Sequence, residues 1–165
     1  ESIRERSIRD HVPYMQWCQD GFLIPSGGER IDYEKIKKEV LWFDSNFDYN
    51  LGLDPKNATQ FSVDLEDQHV SVEHIAQVVS NLNEPCKTLE ALITEKRIRH
   101  DGNPIMTWNV TNVCVKEDSD KNIKPDKKNS YGRIDGVSAL VNCLCIYLRD
   151  SIEQPQLRIT SLGPK

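Results

Sequence analysis

The chain predicts an α/β domain, and three observations carry that prediction. Apolar residues recur at helical spacing in several separate stretches. Between them lie short extended runs, Tyr49 to Leu53 and Val70 to His74, of strand length. The most apolar element, about Arg133 to Arg149, is a helix with Ile134, Val137, Leu140, Val141, Leu144 and Leu148 on a wide face, suited to packing on such strands.

The elements follow in order. The opening stretch to Asp10 is charged and weakly periodic, and a first residue of Glu rather than Met fits a segment cut from a longer polypeptide. From Tyr14 a short helix runs through Cys18 and closes at Gly21, and the Pro25-Ser26-Gly27-Gly28 loop follows. Asp32 is suited to cap a helix reaching about Ser45, with Ile36, Val40 and Phe43 as its stripe. Tyr49 to Leu53 ends at Asp54-Pro55, where the proline stops the strand. Asn57 to Asp67 reads as a helix, and Val70, Val72 and His74 alternate as a half-buried strand. Asn83 or Glu84, with Pro85 early in the first turn, opens a helix carrying Leu89, Leu92 and Ile93 and ending in Lys96, Arg97 and Arg99. Pro104 to Asn112 is ambiguous between helix and strand. Val113 to Lys116 and Ile123 to Pro125 form a hairpin around the polar turn Asp118 to Asn122. Residues 1–150 form one domain, and 151–165 a loosely held tail.

Composition narrows the function. With 165 residues, 38% of them hydrophobic, the chain encloses one core. No apolar run approaches the roughly 20 residues that span a bilayer, and no secretory signal opens the chain, so a cytoplasmic protein without membrane contact is expected. Five cysteines, widely spread, are expected to be reduced thiols, with Cys143 and Cys145 filling core space rather than chelating a metal. The Asn-x-Thr triplets at Asn57 and Asn109 are chance matches. A net charge of -5 argues against a uniformly basic DNA-binding surface. Lys121, Lys124, Lys127, Lys128 and Arg133, opposed only by Asp126, nevertheless concentrate positive charge in one segment.

Several chemistries are excluded. There is no phosphate-binding Gly-x-x-x-x-Gly-Lys-Ser/Thr loop, no Gly-x-Gly-x-x-Gly, and no zinc spacing among His11, His69, His74 and His100. Asp118-Ser-Asp120-Lys-Asn122 imitates a calcium loop, but Ile123 stands where the glycine is required and Asn129 where the bidentate glutamate is, so it reads as a turn. Two carboxylates remain in informative contexts. Asp54 lies at the C-terminal end of a strand, where open α/β sheets place their ligands. Asp135 lies in the first turn of the last helix, where the helix dipole favours an anion. Each alone is commonplace; together they suit a hard cation such as Mg²⁺, which takes one or two carboxylates plus waters and substrate phosphate.

The run from His100 (His-Asp-Gly-Asn-Pro-Ile-Met-Thr-Trp-Asn-Val-Thr-Asn) to Asn112, then Asn122 to Ser130, then Gly132-Arg-Ile-Asp-Gly136, resembles the end of the nuclease domain of bacteriophage large terminases. Leu53-Asp54-Pro-x-Asn-Ala-Thr-Gln60 resembles that family's second acidic motif. Tyr14-x-x-Trp17 through Gly21 to Tyr33 resembles its linker region. The likeness runs from about Asp10 to Leu148. It implies an RNase H-like mixed sheet flanked by helices, and an endonuclease that cuts concatemeric double-stranded viral DNA during packaging with two Mg²⁺ or Mn²⁺ ions. Asp54 and Asp135 match the second and third metal-binding acids. Lys124, Lys127, Lys128 and Arg133 are then expected to hold DNA phosphates. A small terminase subunit and a portal are the implied partners, in the cytoplasm of a bacterial host. His100, Asn103 and Asn112 match recurrent family positions without an assigned role. Trp17 and Trp108 are expected in the core. The family's first acidic motif and its opening strands have no counterpart here, and Lys56 stands where relatives commonly carry Trp. A catalytically incomplete prophage remnant or a DNA- or portal-binding module is the alternative, and a resolvase or transposase of the same fold a weaker one.

Overall fold

The computed structural model describes residues 2–27, 31–56 and 58–153. The chain folds as mixed α/β, with strands β1 (Leu51–Leu53), β2 (Val72–His74), β3 (Val115–Glu117) and β4 (Ile123–Pro125) set among helices. These strands form two separate two-stranded sheets: β1 pairs with β2 in parallel, and β3 with β4 antiparallel. A continuous mixed sheet is therefore not formed among the described residues.

The opening residues, to which the sequence assigned no element, are helical. α1 (Ile3–Asp10) begins at a capping box, with the Glu5 amide donating to Ser2 Oγ at 3.2 Å and the Ser2 amide donating to Glu5 Oε2 at 2.7 Å. It buries no residue, which is why no apolar period announces it. α2 (Tyr14–Gln19) follows at once and buries Trp17, whose ring meets Tyr14 and Trp108 at 5.8 and 5.5 Å. α3 (Tyr33–Asn46) starts at the predicted cap, Asp32. α4 (Thr59–Glu66) buries Ser62 and Leu65. Gly28 of the predicted loop, Asn57 and tail residues 154–165 lie outside the described residues.

α5 (Val79–Thr94) begins a turn earlier than Asn83, so Pro85 sits inside the helix rather than in its first turn. A proline there leaves the carbonyl four residues back without its amide donor. That carbonyl, on Asn81, accepts instead from the Cys145 thiol at 3.6 Å. α6 (Pro104–Asn112) resolves the ambiguous segment as helix, since Asn103 caps it by accepting from the Ile105 and Met106 amides at 2.9 and 3.2 Å. α7 spans Asp135–Glu153, two residues inside the predicted start and four beyond the predicted end.

The core lies between α5 and α7 and includes Ile75, Leu82, Leu89, Val137, Val141 and Cys145. Cys145 fills it as expected, whereas Cys143, two positions earlier on the helix, faces solvent. Burial, with the Cys145 thiol beside it, pushes the Cys86 thiol up to about 11, so it stays protonated at neutral pH. β1 lies close on α7: a side chain on Gly52 would come within 3.0 Å of Ile146 Cδ1. The β3–β4 hairpin is tied to α5 through the Ile123 amide, which donates to Asn83 Oδ1 at 2.9 Å. Among the described residues no helix is long and apolar enough to cross a membrane.

Candidate functional site

The N-terminus of α7 is held by two asparagines of α6, three residues apart and therefore on one face. Asn109, 3% exposed, accepts from the Gly136 amide at 2.7 Å, satisfying a donor that a helix start leaves open. Asn112, 8% exposed, donates through Nδ2 to the Arg133 carbonyl at 3.1 Å. The glycines of Gly132-Arg-Ile-Asp-Gly136 make room for this clamp. A Cβ on Gly132 would lie 2.8 Å from Asn112 Nδ2, and one on Gly136 would lie 3.1 Å from Met106 Sδ. Asp135 thus leaves a rigid backbone with its carboxylate exposed. Of the positions without a role from sequence, Asn112 builds this clamp and Asn103 caps α6, while His100 Nδ1 accepts from the Gly102 amide at 3.0 Å.

Asp54 follows β1. β2 and α7 run in opposite directions, because Arg149 meets Glu73 at 3.3 Å and Asn142 Oδ1 accepts from Gln77 Nε2 at 3.0 Å. β1 is parallel to β2, so its C-terminal end and the N-terminus of α7 point to the same side of the molecule. Asp54 and Asp135 share that side, each with its own partner. Asp54 Oδ1 accepts from the Lys56 amide at 3.0 Å, and Asp135 Oδ1 accepts from Lys127 Nζ at 3.0 Å. Among the described residues, no group of three or more His, Cys, Asp or Glu side chains stands close enough to hold a metal ion.

The basic segment divides into separate roles. Lys124 is half-buried and donates to the Gln77 carbonyl at 3.0 Å, so its ammonium is engaged in holding β4 against the loop after β2. Lys127, Lys128 and Arg133 are exposed. Asp126, the one acid of the segment, folds the loop that carries the two lysines: its carboxylate accepts from the Lys128 and Asn129 amides at 3.0 and 3.3 Å and from Asn129 Nδ2 at 2.7 Å. These hydrogen bonds, the Asn129 side chain first, hold its carboxyl below the ordinary carboxylate range.

A cleft of about 590 Å³ opens beside Asp135, between the turn after α1 and the loop before α7, with Tyr14 and Trp108 among its walls. Lys127 and Arg133 line it, and Asp54 and Lys128 lie outside it. Tyr14 donates to Asp10 Oδ2 at 3.2 Å, and burial, then Asp10, raises its phenol above the ordinary value. Trp108 stacks edge-on against Tyr14 at 5.9 Å, and Trp17 is buried, so neither indole stands free to stack on a base.

Known proteins are similar to this chain over most of its length. "Protein YmfN" of Escherichia coli (strain K12) is 36% identical over 131 residues, covering 78% of this chain and 29% of that protein. "Terminase, large subunit" of Enterobacteria phage HK97 is 29% identical over 143 residues, covering 85% of this chain and 28% of that protein. The crystal structure of the HK97 bacteriophage large terminase matches with a TM-score of 0.80 at 28% identity, over 87% of this chain and 31% of that one. The chain thus spans about three tenths of the length of these relatives. The family model for the terminase large subunit, endonuclease domain, matches residues 2–150, and the chain belongs to that family.

Proposed function

We propose that this chain is the larger part of a metal-dependent endonuclease domain of RNase H-like fold. In this reading it cuts concatemeric double-stranded DNA during genome packaging in the bacterial cytoplasm, in concert with a small terminase subunit and a portal. The observation that carries the reading is the α6 clamp, which spends two buried asparagines on fixing the backbone on either side of an exposed carboxylate. Such rigid presentation of a charged group is what a ligand-binding site requires.

Asp54 and Asp135 are the residues that would hold the cation. Two accessible carboxylates fit one Mg²⁺ or Mn²⁺ ion that keeps waters and takes a substrate phosphate. The second ion of a two-metal site needs a further acid, which does not join them among the described residues. When bound, such ions supply Lewis-acid chemistry: they polarise the scissile phosphate and make an attacking hydroxide available at neutral pH. The chain's own cations do the rest. Lys127, paired with Asp135 at 3.0 Å, would stand beside the phosphate that the cation takes, and Lys128 and Arg133 would hold the DNA backbone. Lys124 offers phosphate only the donors left over from its bond to Gln77.

The test is nicking of supercoiled plasmid in Mn²⁺ by three proteins: this chain, a version extended upstream to include the family's first acidic motif, and the extended version with Asp135→Asn. Cutting is expected from the extended form. The substitution should reduce it by more than about a hundredfold, because even outer-shell partners of a metal site are worth about 10–100-fold. A well-folded extended form that cuts nothing would sink the catalytic reading. It would promote the alternative, a catalytically incomplete module for DNA or portal contact, which the two-acid site favours.

A further inference from the structure

The cleft beside Asp135 has at its mouth a tyrosine that the reading above does not use. Tyr131 stands there with 88% of its surface exposed, although the loop beneath it is fixed. Its amide donates to the Asn112 carbonyl at 3.1 Å, and Gly132 packs directly on the Asn112 side chain. A large ring held out on an ordered backbone, with no aromatic neighbour among the described residues, offers both faces for stacking. Next to it, Arg133 is exposed and lines the same cleft without a carboxylate partner among the described residues. The other two cations of the lining are matched, Arg9 by Asp10 at 2.7 Å and Lys127 by Asp135 at 3.0 Å.

Charge and size restrict the ligand. Three cations against two carboxylates leave the lining only weakly positive, too little to draw in a duplex by charge alone. The volume, about 590 Å³, falls in the range that encloses a drug-sized ligand, the size class of one nucleotide. An exposed aromatic face beside an unmatched guanidinium is the recognition chemistry of single-stranded nucleic acid, in which the base stacks and the flanking phosphate is paired.

We propose that this cleft receives one unpaired nucleotide of single-stranded DNA, its base stacked on Tyr131 and its phosphate held by Arg133. The proposal rests on the nuclease reading only for the source of that strand, an end freed beside Asp135. Binding itself needs no metal, so the two readings can fail separately.

The experiment is fluorescence anisotropy of a labelled ten-residue oligothymidylate with this chain in EDTA, alongside a duplex and an abasic oligomer carrying the same phosphates. The base-bearing single strand is expected to bind more tightly than either control. Tyr131→Ala should weaken it about tenfold and leave the abasic oligomer unchanged, Tyr131→Trp should restore it, and Arg133→Ala should weaken both single strands. No measurable binding, abasic and base-bearing strands bound alike, or an oligothymidylate affinity unmoved by Tyr131→Ala would each overturn the proposal, whatever the plasmid assay shows.

Discussion

At the scale of single residues, Asn109 does the most to set the site. It joins α6 to α7 by accepting from the Gly136 amide at 2.7 Å, and is itself held by donating to the Ile105 carbonyl of its own helix at 3.0 Å. Asn109→Ala leaves a buried amide unmatched at the start of α7, which costs about 1–3 kcal/mol and should lower the thermal midpoint by roughly 3–10 °C. Asn109→Asp keeps the acceptor and should recover part of the loss in the same melting experiment; equal midpoints for Asn109→Ala and the unmodified chain would remove the clamp from the account. Asp126 makes a second prediction, with a definite sign. Its folded-state value lies below the ordinary 3.8, so its contribution is complete above that pH and is lost as the pH falls through the lowered value. The amide resonances of Lys128 and Asn129 should therefore move together in an NMR titration, with a midpoint below 3.8. A midpoint at or above that value would contradict the hydrogen bonds assigned to Asp126.

At the scale of elements, α5 and α7 are joined by more than apolar contact. Pro85 deprives the Asn81 carbonyl of its helical donor, and Cys145 of α7 supplies another at 3.6 Å. The two residues should be coupled. Cys145→Ala is expected to cost about 1–3 kcal/mol, through a small cavity and an unmatched carbonyl. In a Pro85→Ala background the helix can close its own bond, and that cost should shrink by at least about 0.5 kcal/mol. Denaturant unfolding of the four proteins of this cycle measures the difference; strict additivity would mean that the thiol does not replace the missing amide.

At the scale of the whole molecule, the unfinished surface is the one around α3 and β1. α3 buries none of its residues, and Ile36, Trp42 and Phe43 are 42%, 54% and 48% exposed. β1 pairs with β2 alone among the described residues, which leaves its other edge open. An open edge and exposed aromatic side chains both promote association. Light scattering of this chain is expected to show a mass that rises with concentration. Trp42→Ser with Phe43→Ser should reduce it, and so should the upstream extension if it covers this side. A monodisperse monomer at every concentration would contradict this account of the surface.

The sequence by itself determined the fold class, the cap at Asp32, the hairpin, the long apolar helix and the family, because each is written in neighbouring residues: a capping side chain, a turn, a period or an ordered motif. It assigned no element to α1, although the capping box at Ser2 and Glu5 was an available signal, and it misplaced the start of α5, because the donor that lets Pro85 stand inside a helix comes from Cys145, 60 positions away. Only the tertiary structure decided that Asn109 and Asn112 build a clamp, that Lys124 is spent on Gln77, and that Tyr131 and Arg133 share a cleft with the turn after α1. Those relations join residues from elements distant in the chain, and packing alone brings such residues within reach of a hydrogen bond.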